Sequence, residues 1–503
     1  MGSQTTLKRK TLLVRFSGDI TTKAESTRRR FLLRMVRNIK DALKTSGSGH
    51  TVNRTRDRIF VSLNEEYAES GAADLRRVFG VQSLAPVQEI HWDSLDDLIK
   101  QSEAFFRNSV RGRSFAVRAR RIGAKRSLPF RSVDVERALG TALLPGAAKV
   151  NLRNPDVTVA LELTPQSAYL FEERLAGPGG VPLGVESRAV SLMSGGFDSP
   201  VAAWLLMKRG VALDFVLCNL GGRQQLLETL AVCKELADRW SFGTRPHLHV
   251  IDFDGITRSL QDHVSTRFWQ VILKRFMMRA AQAVAEERDA QALITGEVVA
   301  QVSSQTLPNL AVISSATDLP ILRPLVGFNK EEIIRLAREI GTHDLSAQVG
   351  EYCALVPSRP ATRTSQARAE AEEADIDPQV LQKALDERVV YDLRALDLES
   401  LNRLEIRIDH VPEGAIVLDL RSKQAYQNWH YPNALFLDFA NALRVYAQMD
   451  ATKEYVLYCE FGLKSGHMAE LMRKQGLRAS HFSGGLSALV SYVKSKGLPP
   501  PEA

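Results

Sequence analysis

Six residues, Ser194-Gly195-Gly196-Phe197-Asp198-Ser199, stand between two apolar runs at 189–193 and 200–207. The first run has the length of a buried strand. The second is longer and closes at Gly210, as a helix does. Glycines at a strand-to-helix turn let backbone N–H groups converge on an anion, and the helix N-terminus adds a favourable dipole. Pro200 suits the first helical turn, where its missing donor costs little. A glycine pair alone is an ordinary turn; the flanking strand and helix turn this one into a cradle for a phosphate or pyrophosphate. Ser194, Gly195, Gly196, Asp198 and Ser199 are its candidate binding residues. The cradle is not of the Walker type, because no GxxxxGK[ST] occurs here.

At 503 residues the chain is expected to hold about three domains. With 44% hydrophobic and 25% charged residues it reads as an ordinary globular protein. No apolar run approaches the roughly 18 residues of a membrane span, and no secretory segment follows Met1, so no membrane association is expected. The opening Met1-Gly-Ser-Gln-Thr-Thr6 formally fits a loose acylation pattern and is read as a flexible start. The four cysteines, Cys218, Cys233, Cys353 and Cys459, include no CxxC pair. No metal site and no disulfide framework is expected from them, and a reducing, cytoplasmic setting fits best.

The net charge of +8 hides an asymmetry. Residues 1–131 hold 27 Lys and Arg against 13 Asp and Glu, a balance of +14 that leaves −6 for the rest. Between Arg107 and Arg131 lie nine basic residues and no acidic one, interleaved with Phe115 and Phe130. Such a face attracts a phosphate backbone through counterion release, although solvated basic surfaces are common. Arg107, Arg111, Arg113, Arg118, Arg120, Arg121, Lys125 and Arg126 are the candidate RNA contacts.

The patterning divides the chain. Residues 7–16 read as a strand, 26–44 as a basic helix with Phe31, Leu32, Met35, Ile39, Ala42 and Leu43 near helical spacing, and 58–63 as another strand. This small α+β unit is placed at 1–74, a second unit at 75–175, and a Gly/Pro-rich hinge at 176–184. From 185 to 357 strand-like and helical runs alternate, which implies a parallel sheet covered by helices, with ligands beyond the carboxyl ends of the strands. Residues 358–396 are polar and read as a linker, and 397–503 as a last small α/β domain.

That last domain holds a second chemical site. Cys459-Glu-Phe-Gly-Leu-Lys-Ser465 follows the apolar strand 455–458 and precedes a helix. Successive N–H groups of such a loop, with Lys464 and a helix N-terminus, favour a thiolate. An accessible thiolate is a nucleophile or a carrier of sulfane sulfur; outside this loop, a buried packing cysteine would be the ordinary reading.

The first loop resembles SGGxDS, the pyrophosphate loop of ATP enzymes that transfer AMP to a substrate oxygen. The second resembles the rhodanese active loop, CxxGx[RK]S, with Asp419, Arg421 and the segment 482–485 also matching. His430-Tyr-Pro-Asn-Ala434 departs from it, with Asn433 where a glycine is usual; asparagine also tolerates positive φ. An adenylating loop, a basic front end and a sulfur-carrying tail in one chain are together similar to the tRNA 4-thiouridine synthases, tRNA uracil 4-sulfurtransferases of the ThiI type with a rhodanese domain. Residues 296–306, 322–325, 329–333 and 351–353 add to the resemblance.

The resemblance implies a multidomain α/β protein. A ferredoxin-like and a THUMP domain would come first, then a doubly wound pyrophosphate-loop ATPase domain, then the rhodanese domain. It implies that ATP and Mg²⁺ are used, with Leu192, Met193, Lys274, Gly296 and Gln305 beside ATP and Asp198 and Lys330 essential. Uridine 8 of tRNA would be adenylated at O4. A cysteine desulfurase would load Cys459 as a persulfide, and Cys353 would form a disulfide with Cys459 as sulfur leaves. The family also implies sulfur supply to a carrier protein for the thiazole of thiamine. The other readings are a sulfur relay serving mainly that pathway and a non-catalytic RNA-binding module.

Overall fold

The computed structural model describes residues 9–45, 49–123, 128–350, 359–398, 406–460 and 462–499. Lys125, Arg126 and Cys353, named above as site residues, lie outside them. The backbone divides into two compact units, one of residues 1–187 with 206–212 and 239–244, the other of 188–205, 213–238 and 245–503.

In the first unit β1 (Arg9–Phe16), β2 (His50–Arg54), β3 (Ile59–Asn64), β4 (Val81–His91), β5 (Ser114–Arg121), β6 (Lys149–Val150), β7 (Val157–Leu163), β8 (Ser167–Phe171) and β9 (Leu175–Ala176) build one sheet. Its order is β2-β3-β1-β4-β8-β7-β5-β6, with β9 beside β4. The basic helix runs over Glu25–Thr45, and its six apolar positions named above are all buried. They recur every three or four residues and so fall on one stripe. With the helix Ala68–Leu75 it completes the βαββαβ order of a ferredoxin-like half. The sequence suggested a break at 74/75, yet β4 serves both halves. Its stretch 81–87 pairs antiparallel with β1, and Gln88 to His91 pair with β8. At roughly 3.3 Å per residue such a strand has length enough for two ladders. Buried Glu162 ties the halves together, accepting from Arg15 at 2.7 Å and Arg58 at 2.6 Å.

The second unit contains two sheets. The larger runs β14-β13-β10-β11-β12-β15, with β10 (Arg188–Leu192), β11 (Ala212–Asn219), β12 (His247–Asp252), β13 (Ala290–Ile294), β14 (Ile321–Leu322) and β15 (Val389–Asp392). The pairs β10–β13, β11–β12 and β13–β14 are parallel. The order reverses at β10, so a crevice opens between the carboxyl ends of β10 and β13, where such sheets bind ligands. The stretch 358–396, read above as a linker, differs from that reading. It carries the helices Gln366–Glu373 and Gln379–Asp386, and β15 pairs antiparallel with β12. Its polar composition hid a few buried anchors, Ala369, Ile376, Ala384 and Leu385, that join the core of this domain.

The smaller sheet has order β16-β20-β19-β17-β18, from β16 (Arg407–Ile408), β17 (Ile416–Asp419), β18 (Leu435–Phe436), β19 (Glu454–Tyr458) and β20 (Arg478–Phe482). All its pairings are parallel. No helix among the described residues is long and apolar enough to cross a membrane.

Candidate active site

The glycine loop leaves β10, and the helix Asp198–Met207 starts directly after it. The Ser194 N–H donates to Ser199 Oγ at 3.2 Å, closing the turn. Gly195 stands at φ +79°, with Val349 packed beside it. Leu192 ends β10 half-buried, and Met193 donates its N–H to the Val216 carbonyl at 2.8 Å. Gly296, at the carboxyl end of β13, lies against the start of the same helix. A Cβ there would sit 2.8 Å from Asp198 C and Ser199 N, so only glycine allows this approach.

Asp198 faces two donors, Lys330 Nζ at 2.9 Å and Gln301 Nε2 at 3.2 Å. A capping box sets the place of Lys330. Asn329 Oδ1 accepts the Glu332 N–H and Glu332 Oε2 accepts the Asn329 N–H, both at 2.9 Å, fixing Lys330 as the first helical residue. Its ammonium also lies 5.4 Å from the centre of the Phe197 ring, and His343 packs on that ring at 5.5 Å.

Lys274 approaches from the helix Trp269–Glu287 and donates to Glu297 Oε1 at 2.9 Å. The other carboxylate oxygen accepts from Arg323 Nε at 2.8 Å and Thr295 Oγ1 at 3.1 Å. Burial alone would raise the Glu297 pKa, yet the two cations outweigh it and hold the carboxyl below its ordinary value. Gln305 ends a short turn whose backbone bonds to Ala300 and Val302, and its buried Oε1 has no partner among the described residues. Glu297, Arg323 and Gln301 fall within the segments 296–306 and 322–325 quoted above for the resemblance, although none was named there as a site residue. The available signal for the two charged residues was their place within three residues of the strand ends at Ile294 and Leu322.

In the smaller sheet Cys459 follows β19 and, unlike the accessible thiol expected from its loop, is buried at 4% exposure beside the core of that domain. The Ser465 N–H points at its Sγ from 3.4 Å, and Ser465 Oγ lies 3.5 Å away and donates to the Gly462 carbonyl. Beneath, Arg421 holds Asp419 through Nε at 3.0 Å and Nη2 at 2.7 Å, and the Tyr458 hydroxyl donates to the same carboxylate at 2.6 Å. Burial and that carboxylate push the Tyr458 pKa up. Asn433, at the departure noted above, has φ +63°, the region asparagine tolerates.

The basic residues of the first unit are set differently. Arg107 pairs with Glu103 at 3.0 Å, Arg113 donates to the Asp156 carbonyl, and Arg118 to the Leu152 carbonyl. Along β5, Phe115 and Val117 point into the core while Arg118 and Arg120 are exposed, as the two-residue period requires. Arg111 is exposed and Arg121 half-buried.

Fold and sites define a class: a phosphate-loop α/β domain with a ferredoxin-like and THUMP front end and a rhodanese-like thiol domain in one chain. Family models agree. The ThiI ferredoxin-like domain matches residues 11–85, the THUMP domain 93–172, the thiamine biosynthesis protein ThiI 184–377 and the rhodanese-like domain 403–491. A tRNA sulfurtransferase of Thermoplasma acidophilum is 36% identical over 81% of this chain and 83% of its own. One of Pyrobaculum aerophilum is 35% identical over 92% of this chain and 94% of its own. The crystal structure of a 4-thiouridine synthetase–RNA complex with bound ATP superposes with a TM-score of 0.67 at 29% identity, over 76% of this chain and 99% of the other. The chain belongs to the tRNA sulfurtransferase family, whose members are sulfur-transferring enzymes.

Proposed function

We propose that this protein makes 4-thiouridine in tRNA, in a reaction driven by ATP. The observation that carries the reading is Lys330, fixed by its capping box 2.9 Å from Asp198 at the mouth of the glycine loop. That arrangement suits the phosphates of ATP, with the loop N–H groups and a cation facing the charge that develops on the leaving pyrophosphate. Lys274, Gly296, Leu192, Met193 and the unpartnered Gln305 Oε1 complete the ATP contacts. Mg²⁺ usually takes one or two carboxylates and the substrate's phosphates; Asp198 is the carboxylate here that fits it. The bound ion would add positive charge beside the phosphates.

O4 of uridine 8 attacks the α-phosphorus and pyrophosphate leaves. The terminal sulfur of a Cys459 persulfide then displaces AMP from C4, or Cys353 first attacks Cys459 Sγ, forming the disulfide and expelling sulfide, which displaces AMP instead. On the persulfide path Cys353 attacks Cys459 Sγ, the C4–S bond is left as the thiocarbonyl, and a Cys353–Cys459 disulfide remains for a thiol reductant to reopen. The described residues on either side of Cys353 lie beside the glycine loop and the Gly296–Gln305 loop: Val349 lies on Gly195, Gly350 donates to Glu228, and the carbonyls of Ala361 and Thr362 accept from Asn309 and Thr306. A cysteine desulfurase would load Cys459, and the exposed arginines of the first unit would hold tRNA. The same persulfide would supply a sulfur-carrier protein for thiazole formation, in keeping with the name of the matching ThiI model.

The test is mass spectrometry of tRNA incubated with the protein, ATP, cysteine and a desulfurase. Asp198→Ala is expected to abolish pyrophosphate release while tRNA binding persists. Cys459→Ala is expected to release pyrophosphate without thiolating tRNA; normal thiolation by it would remove the persulfide from the scheme.

A further inference from the structure

One set of contacts in the second unit joins the rhodanese-like part to the domain bearing the glycine loop. The helix Leu463–Lys474 presents His467, Glu470 and Lys474, spaced three and four apart and so on one face. The Glu470 carboxylate accepts the N–H of Arg223, second residue of the helix Gly222–Trp240. Lys474 Nζ lies 3.2 Å from Asp252. The His467 ring lies on Gly222 so closely that any Cβ there would collide with it. Arg407 donates to Gln224 at 3.0 Å beside them. The void left in this seam is about 20 Å³, room for about one water.

Both sides of the seam are informative. Gly222 follows β11 and Asp252 ends β12, so both stand at the carboxyl edge of the sheet. The glycine loop follows β10, the strand next to β11. Neighbouring strands are about 4.8 Å apart, so the seam begins roughly one strand away from the loop. On the other side, His467 is two residues beyond Ser465, whose N–H touches Cys459 Sγ. The seam therefore sets the helix that follows the Cys459 loop against the carboxyl edge of the sheet, the edge from which the glycine loop also springs.

We infer that the His467, Glu470 and Lys474 face, seated on Gly222, Arg223 and Asp252, is the docking interface that delivers sulfur from Cys459 to the activated uridine. The inference rests on the proposed function for the identity of the acceptor. Its physical terms are modest. A carboxylate on a helix N-terminus and a half-exposed ion pair are each weak contacts in water. Such a contact forms and releases readily, as a transfer step needs.

The test uses the full chain, with Cys459 preloaded as persulfide by a desulfurase and one turnover followed on tRNA with ATP. Glu470→Lys puts a cation on the helix N-terminus, and Lys474→Glu sets like charges against Asp252. Both variants are expected to slow 4-thiouridine formation by about tenfold or more. Pyrophosphate release and persulfide loading are expected to stay within about twofold of the unmodified chain. Lys474→Asp combined with Asp252→Lys is expected to restore most of the rate. Unchanged transfer in both single variants overturns the inference, as does loss of pyrophosphate release or of loading in them, since the face would then act on the fold or the ATP site. An unmodified chain that releases no pyrophosphate, or thiolation by Cys459→Ala, would instead count against the proposed function.

Discussion

At the scale of single residues, close approaches decide where the chemistry sits. Gly296 is a glycine because the backbone of Asp198 and Ser199 occupies the place of a side chain. Gly296→Ala is expected to push the loop away from its helix and reduce ATP-dependent pyrophosphate release about tenfold to a hundredfold. Equilibrium unfolding should change by only about 1–3 kcal/mol. A second residue bears on pH. His249 is buried on β12, both ring nitrogens lack partners among the described residues, and burial lowers its pKa to about 4 despite Asp214 and Glu287 nearby. An unfolded histidine titrates near about 6.5, so the unfolded chain binds the extra proton first. The stability from a neutral His249 is therefore present above about pH 6.5 and lost as pH falls towards 4. Denaturant midpoints taken across that window should drop, and His249→Asn should flatten the drop.

At the scale of elements, what was legible in the sequence was local. The turn from β10 into its helix, the Cys459 loop and the buried stripe of Glu25–Thr45 each follow from neighbours within a few positions. The contact of Glu297 with Lys274 and Arg323 did not, because this buried carboxylate is neutralised by cations 23 and 26 residues away, which only the tertiary fold brings in. Residues 358–396 were obscured for a related reason. Their helices bury few apolar side chains and lean on charge: Glu373 takes Arg275 at 2.9 Å and also Arg279, while Glu372 binds Ser265. Arg275 is itself buried. Glu373→Ala would leave that guanidinium unpaired, and a loss of about 3–5 kcal/mol is expected by equilibrium unfolding. A loss below about 1 kcal/mol would mean that water reaches Arg275 and the helix is only loosely held.

At the scale of the whole molecule, charge is divided between the ends of the chain: +14 over residues 1–131 and −6 beyond. The exposed Arg118 and Arg120 belong to the basic part. Binding of tRNA is expected to weaken steeply with salt, with a log–log slope that falls by about one or two when both are changed to alanine. A slope unchanged by that double substitution would place the RNA on another face.

The strand β15 also has a kinetic consequence. Because it is stitched into the larger sheet, the covalent lead to the rhodanese domain is short. Only eight peptide steps separate Leu398 from Ile406, a span of at most about 29 Å. Parts joined in one chain meet at a far higher effective concentration than separate molecules do. Association between separate molecules through the same few charges would be negligible at cellular dilution. On the proposed function each meeting of the two parts is a first-order event, and the single-turnover rate constant of sulfur transfer is expected to stay the same when the protein is diluted.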